Sequence, residues 1–394
     1  MKTNRTFKSQ LAAALLLAAS QLFTARALGN PPQPGTPTQI EMPTPISYAP
    51  FTIKAPGSYY LTGNLTVHSG NAITIATNGV TLDLNGFTIS STAPSAAGTA
   101  ILLNNGLHNI TILNGFIQSG VTDNGSGVYQ GSGFASGISW LVNAPVNVLT
   151  NVVVTKVSVM GVLDNGIFLG IGNGTIVEAC TVTTAGGYGI VASIVKDSVA
   201  NDCGSDGIYG DQAVDCRGTS FDNDGIETTD SAQNCVGVST GAMGIYTSTA
   251  QNCRGFSSSG TGLTADTALN CEGDSGSNCG LAAYQALNCD GGSESGTGLS
   301  ALNFAQNCYG SSSSGTGLFA QWIAQNCYGY SYSSTAMDVL YMANFSVGIS
   351  SSGTGLSAFI ANSCWGSGST GLTATYGNFC FGSTVSVTTK YNMP

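Results

Sequence analysis

Between Gly207 and Gly371 the chain repeats itself every 18 or 19 residues, the step falling to 16 at the last repeat. A glycine followed by an aliphatic residue recurs at Gly207-Ile208, Gly225-Ile226, Gly244-Ile245, Gly262-Leu263, Gly280-Leu281, Gly298-Leu299, Gly317-Leu318, Gly355-Leu356 and Gly371-Leu372, with Ala336-Met337 filling the one gap. Nine or ten residues later comes a cysteine: Cys216, Cys235, Cys253, Cys271, Cys289, Cys308, Cys327, Cys364 and Cys380. Phe345 is expected to take that place in the repeat that starts at Ala336. Two residues beyond nearly every one of these cysteines is another glycine. A unit this short cannot bury a core alone. Stacking identical units solves the problem, because each strand then hydrogen-bonds the same strand in the unit above and below. The spacing therefore predicts an all-β parallel solenoid whose aliphatic, alanine and cysteine positions form inward columns about 4.8 Å apart from coil to coil. Leu263, Leu281, Leu299 and Leu318 should share one such column.

The rest of the chain fits this reading. Only 8% of the residues are charged and 54 are glycine, which points away from an ordinary helical or α/β enzyme. Lys2, Arg5 and Lys8, the apolar run from Leu11 to Leu22 and Ala25-Arg26-Ala27 have the pattern of a secretion signal, so 1–27 are expected to be removed on export. Without them six basic residues face twenty acidic ones, a formal charge of −14, which argues against nucleic acid as a partner. No later segment is apolar and long enough to be a membrane helix. Residues 28–50 are proline-rich and read as an extended linker. From 51 to 200 short β-type runs recur irregularly, and 118–139, rich in glycine and serine, should loop out; 207–385 are the regular repeats, and the solenoid as a whole should span 51–394.

The run Val80-Thr81-Leu82-Asp83-Leu84-Asn85-Gly86-Phe87-Thr88-Ile89, answered by Leu113-Asn114-Gly115-Phe116, resembles the N-terminal coils of bacterial exported proteins with a right-handed β-helix region, in the pectin-lyase-like superfamily. The resemblance covers roughly residues 51–385. It implies a single-stranded, right-handed parallel β-helix, and it specifies a fold rather than a reaction. The coils are shorter than is usual in that superfamily. Left-handed hexapeptide solenoids also have 18-residue coils, but their six-residue apolar sub-period is absent here.

Four constellations remain to be read. Asn234, Asn252, Asn270, Asn288, Asn307, Asn326 and Asn344, with Asp215 at their head, should form an asparagine ladder that hydrogen-bonds along the stack. The cysteines admit disulfides, a metal site or a stack of buried thiols. Metal sites want Cys-x-x-Cys or Cys/His clusters, which are absent, and in-register parallel side chains suit a disulfide torsion poorly, so buried thiols are expected. Cys279 stands apart, in the turn column of Thr261, Thr297, Thr316 and Thr354.

Eight of the twenty acidic residues lie between 202 and 230. Asp206 and Asp224 both precede the register glycine and should stack on adjacent coils, where like charges repel unless a cation such as Ca²⁺ bridges them or one is protonated. The competing expectation is a solvated acidic turn edge. For catalysis, Asp206 and Asp224 are the candidate carboxylates and Arg217, the one basic residue within the cluster, the candidate base. The Asp-Asp and Gly-His-Gly signatures that the superfamily's galacturonases would bring are missing.

The fourth constellation is the outward column after each cysteine, which reads Arg217, Val236, Arg254, Glu272, Asp290, Tyr309, Tyr328, Ser346, Trp365 and Phe381. Its end is aromatic, so Tyr309, Tyr328 and Trp365 are candidate sugar-contacting residues. Two functions follow as expectations: an exported, non-catalytic solenoid that contacts a polysaccharide or surface glycan, or a polysaccharide lyase or glycoside hydrolase working through the acidic cluster. No organic cofactor is expected in either case.

Overall fold

In a computed structural model, residues 42–141 and 147–393 are described. Every regular element among them is a β-strand, and Pro43 onward forms one unit of parallel coils, about 18 turns of roughly 19 residues. The expected signal segment 1–27 and most of the expected linker lie outside the described residues. The solenoid begins earlier than Phe51: Thr44–Ile46 is already a strand, paired in parallel with Tyr59, Tyr60 and Leu61. It continues to the strand Val385–Tyr391, which pairs with Thr370–Asn378.

The N-terminal coils are irregular in length. Side-chain bonds to the next coil span 24 residues at Asn64–Thr88, 28 at Asn71–Thr99, 30 at Asn78–His108 and 42 at Asn105–Asn147. The residues expected to loop out at 118–139 do so only in part. Gly120–Asp123 and Tyr129–Ser132 form an antiparallel hairpin, whereas Ser136–Trp140 rejoins the stack against Thr99–Leu103. Regular 18-residue stacking begins before 207, at Ile176↔Ile194 and Thr181↔Val199. The sequence hides this start because Ser198 stands where the next cysteine would be: its Oγ donates to the Lys196 carbonyl as Cys180 and Cys216 donate to Glu178 and Val214.

Each regular coil contains a longer strand, such as Leu263–Leu269, and a shorter one, such as Glu272–Ser275, joined by a tight corner at Asn270. The four leucines at 263, 281, 299 and 318 are fully buried and in register, as the repeat requires. Alanine columns and the thiols complete a narrow core. Its narrowness explains the second glycine of the repeat. A Cβ on Gly255 would collide with the carbonyl of Gly262 across the interior, so the two walls close onto bare backbone.

The corner explains the asparagines. Asn234, Asn252, Asn270, Asn288, Asn307 and Asn326 have φ of 52–54°, a left-handed conformation that asparagine tolerates better than most residues. Their amides bond from coil to coil, from Asn234 Nδ2 to Asp215 Oδ1 at 2.9 Å up to Asn326 to Asn307 at 3.4 Å. The ladder stops there. Asn344 registers with Gln325, one position earlier, and Phe345 occupies the left-handed corner with its ring exposed. Ser346, not Phe345, replaces the cysteine: it is fully buried and its Oγ donates to the Asn344 carbonyl. The outward residue of that coil is therefore Val347 rather than Ser346.

Serines form a second ladder. Ser239, Ser257, Ser275, Ser293, Ser312, Ser331 and Ser350 face inward at the other corner. Each Oγ accepts the N–H three residues ahead and donates to a carbonyl of the preceding coil, as in Ser275 to Gly260 at 2.7 Å and Asn278 to Ser275 at 2.8 Å. These hydroxyls satisfy turn groups that the narrow section removes from water.

Candidate functional site

Asp206 and Asp224 sit in the turn column just before the long strand, together with Asn165, Tyr188 and Met243. They are adjacent, as expected, but not on a solvated edge: they are only 4% and 7% exposed. The reason lies in the backbone. Asp206 Oδ1 accepts the N–H of Asp224 at 3.0 Å, and Asp224 Oδ1 accepts the N–H of Met243 at 2.8 Å. Asn165 does the same for Tyr188 at 3.0 Å. The two carboxyls thus satisfy main-chain donors that lack a partner at this turn.

Glu227, half-buried on the next strand, completes a triad whose carboxylate oxygens lie within 4.8 Å of one another. Burial, followed by the charges of Glu227 and Asp224 and a hydrogen bond with Glu227, pushes Asp206 up to about 7 against the pull of the Asp224 N–H. Burial raises Asp224 to about 6, with Glu227 adding and the Met243 N–H opposing. Tyr188 and Tyr209, which pack ring to ring at 6.1 Å, are raised by burial and then by the charges of Asp206 and Glu227.

As a cation site the triad is incomplete. Three carboxylates suit a hard ion, but calcium takes six to eight oxygens, and one oxygen of each aspartate is already committed to an N–H. As a catalytic site it lacks its base. Arg217 is exposed on the short strand between Val199 and Val236, and among the described residues no hydrogen bond or ion pair joins it to the triad. Glu227 does reach one end of a groove of about 690 Å³ over the long strands, where Tyr246, Asp266 and Tyr284 also line the wall.

The aromatic residues collect in the C-terminal coils. Tyr309 and Tyr328 stack at 5.4 Å with 15° between their planes, so each covers one face of the other. Trp365 does not join them: Val347 intervenes in register, leaving the indole 41% exposed next to Phe381. A longer aromatic row runs along the long strands. Trp322, Tyr341, Phe359 and Tyr376 follow one another at 5.9, 6.1 and 5.5 Å and are each 40–51% exposed. Trp322, Tyr341 and Tyr376 each lie five residues after the register residue of their coil and Phe359 four, an offset that the one-residue register shift at the bend of the long strand absorbs.

Strand register and inward columns define the class of this protein: a parallel β-solenoid. No protein-family model matches the chain, and no curated protein matches it either. Among solved structures, the A-module of a mannuronan C-5 epimerase of Azotobacter vinelandii is similar at 12% identity and a TM-score of 0.25, over 86% of this chain and 91% of that one.

Proposed function

We propose that the protein is an exported, non-catalytic β-solenoid that contacts a polysaccharide through its C-terminal aromatic rows. The observation that carries this reading is the pairing of many half-exposed rings with almost no charge. After residue 295 the chain has one acid, Asp338, and one base, Lys390, while Tyr309, Trp365 and the row from Trp322 to Tyr376 stay exposed and Tyr328 is half-buried. Rings of this kind pack on sugar faces, each for about 1 kcal/mol, and need no chemistry to do so. An uncharged surface favours a neutral glycan over an acidic one. The test is retention on insoluble or immobilised polysaccharides. The double variant Tyr341→Ala, Phe359→Ala, like Tyr328→Ala, Trp365→Ala, should weaken retention about thirtyfold with an almost unchanged melt, since two such rings are lost. Equal retention by both variants and the parent would refute the reading.

The acid triad supports the alternative, a polysaccharide lyase or hydrolase, because its member Glu227 lines an open groove while burial pushes the neighbouring Asp206 up to about 7. Depolymerisation abolished by Asp224→Asn but untouched by the aromatic variants would establish that alternative in place of the first.

A further inference from the structure

The cysteine column is the largest set of nucleophilic groups that neither reading uses. Cys216, Cys235, Cys253, Cys271, Cys289, Cys308 and Cys327 occupy seven successive coils without interruption, all free and no more than 4% exposed. The main chain locks their register: the residue after each cysteine donates its N–H to the cysteine carbonyl of the coil before, from Val236 to Cys216 through Tyr328 to Cys308, at 2.9 Å, and Val347, after Ser346, does the same for Cys327. Equivalent side chains in register repeat at the strand spacing of about 4.8 Å. Twice a metal–thiolate bond of about 2.3 Å is nearly the same length.

We propose that this column binds soft monovalent d¹⁰ cations, Cu(I) above all, each held in two-coordinate fashion between the sulfurs of adjacent coils. Binding displaces two thiol protons to solvent for each ion bridged, with no change of oxidation state. Soft thiolates select such ions, and the absence of a Cys-x-x-Cys or histidine partner excludes only a tetrahedral zinc-type site. A groove of about 640 Å³ runs over the asparagine ladder, and Cys253, Cys271, Cys289 and Cys308 belong to its lining.

Ser198 and Ser346 already stand in this column, so serine is an acceptable replacement for each thiol. Two triple variants then separate adjacency from thiol number. The alternating set Cys235→Ser, Cys271→Ser, Cys308→Ser leaves no neighbouring pair among the seven. The block set Cys216→Ser, Cys235→Ser, Cys253→Ser removes as many thiols but leaves four in sequence. Reduced, anaerobic protein is titrated with Ag(I), a redox-inert probe, and with Cu(I) against a chromophoric chelator, following the sulfur-to-metal charge-transfer band. With Cys364 and Cys380 as a further pair, the parent should bind about four ions, the block variant about three and the alternating variant about one. Equal binding by the two variants would overturn the proposal. So would a parent protein that takes up no metal in competition with the chelator, an outcome that does not depend on how any variant folds.

Discussion

Asp206→Asn should stabilise this protein at neutral and alkaline pH. Asp206 is raised from 3.8 to about 7, chiefly by burial. In the window between those values the folded chain holds a proton that the unfolded chain has released, so stability falls as pH rises through it. At about 1.4 kcal/mol per unit, the cost of ionising the buried carboxyl reaches at most about 4 kcal/mol above pH 7, shared with Asp224 and Glu227 through their coupling. An asparagine keeps the Oδ1 that accepts the Asp224 N–H, as Asn165 shows one turn of the same column away from Tyr188, and it cannot ionise. Guanidinium unfolding of parent and variant from about pH 4 to 8.5 should therefore show a gain of about 2–4 kcal/mol at the alkaline end that vanishes near pH 4. Asp206→Ala should behave oppositely at low pH and lose about 1–3 kcal/mol, because the Asp224 N–H is left buried and unpaired. An Asp206→Asn protein less stable than the parent at pH 8, or a calcium-dependent rise in stability that this substitution abolishes, would refute the structural role and assign the carboxylate to a cation.

Two further outcomes follow from the packing. Gly255→Ala should destabilise the fold by about 3 kcal/mol or more, since the new methyl meets the Gly262 carbonyl and a backbone wall cannot yield as a side chain does; a thermal melt within a degree of the parent would contradict the narrow cross-section. Ser275→Ala should cost about 1–3 kcal/mol by stranding the Asn278 N–H and the Gly260 carbonyl, and hydrogen exchange should quicken at Asn278 before it does at the long strands.

The sequence by itself determined the repeat, and with it the solenoid, the inward leucines and cysteines and most of the asparagine ladder. These follow from a period of 18 or 19 residues, because any residue that recurs at that period must stack on itself. It misplaced Phe345 and Asn344 by one position, since an inserted residue within a coil moves the letters without moving the column; hydrogen bonds from Ser346, not spacing, reveal which residue stands in the cysteine place. It also hid the start of the regular stack at Ile176, where serine stands in for cysteine at Ser198. The serine ladder was visible only as a polar turn, because composition does not tell an inward hydroxyl from a solvated one. For the candidate site the division is sharper. That Asp206 and Asp224 are neighbours was legible from their common place before a register glycine. Their burial, their bonds to backbone N–H groups, the approach of Glu227 and the absence of Arg217 from the triad were decided by the tertiary structure. Period fixes which residues stack; the direction of each corner fixes which of them meet water, and corner direction is set by main-chain geometry that no single repeat encodes.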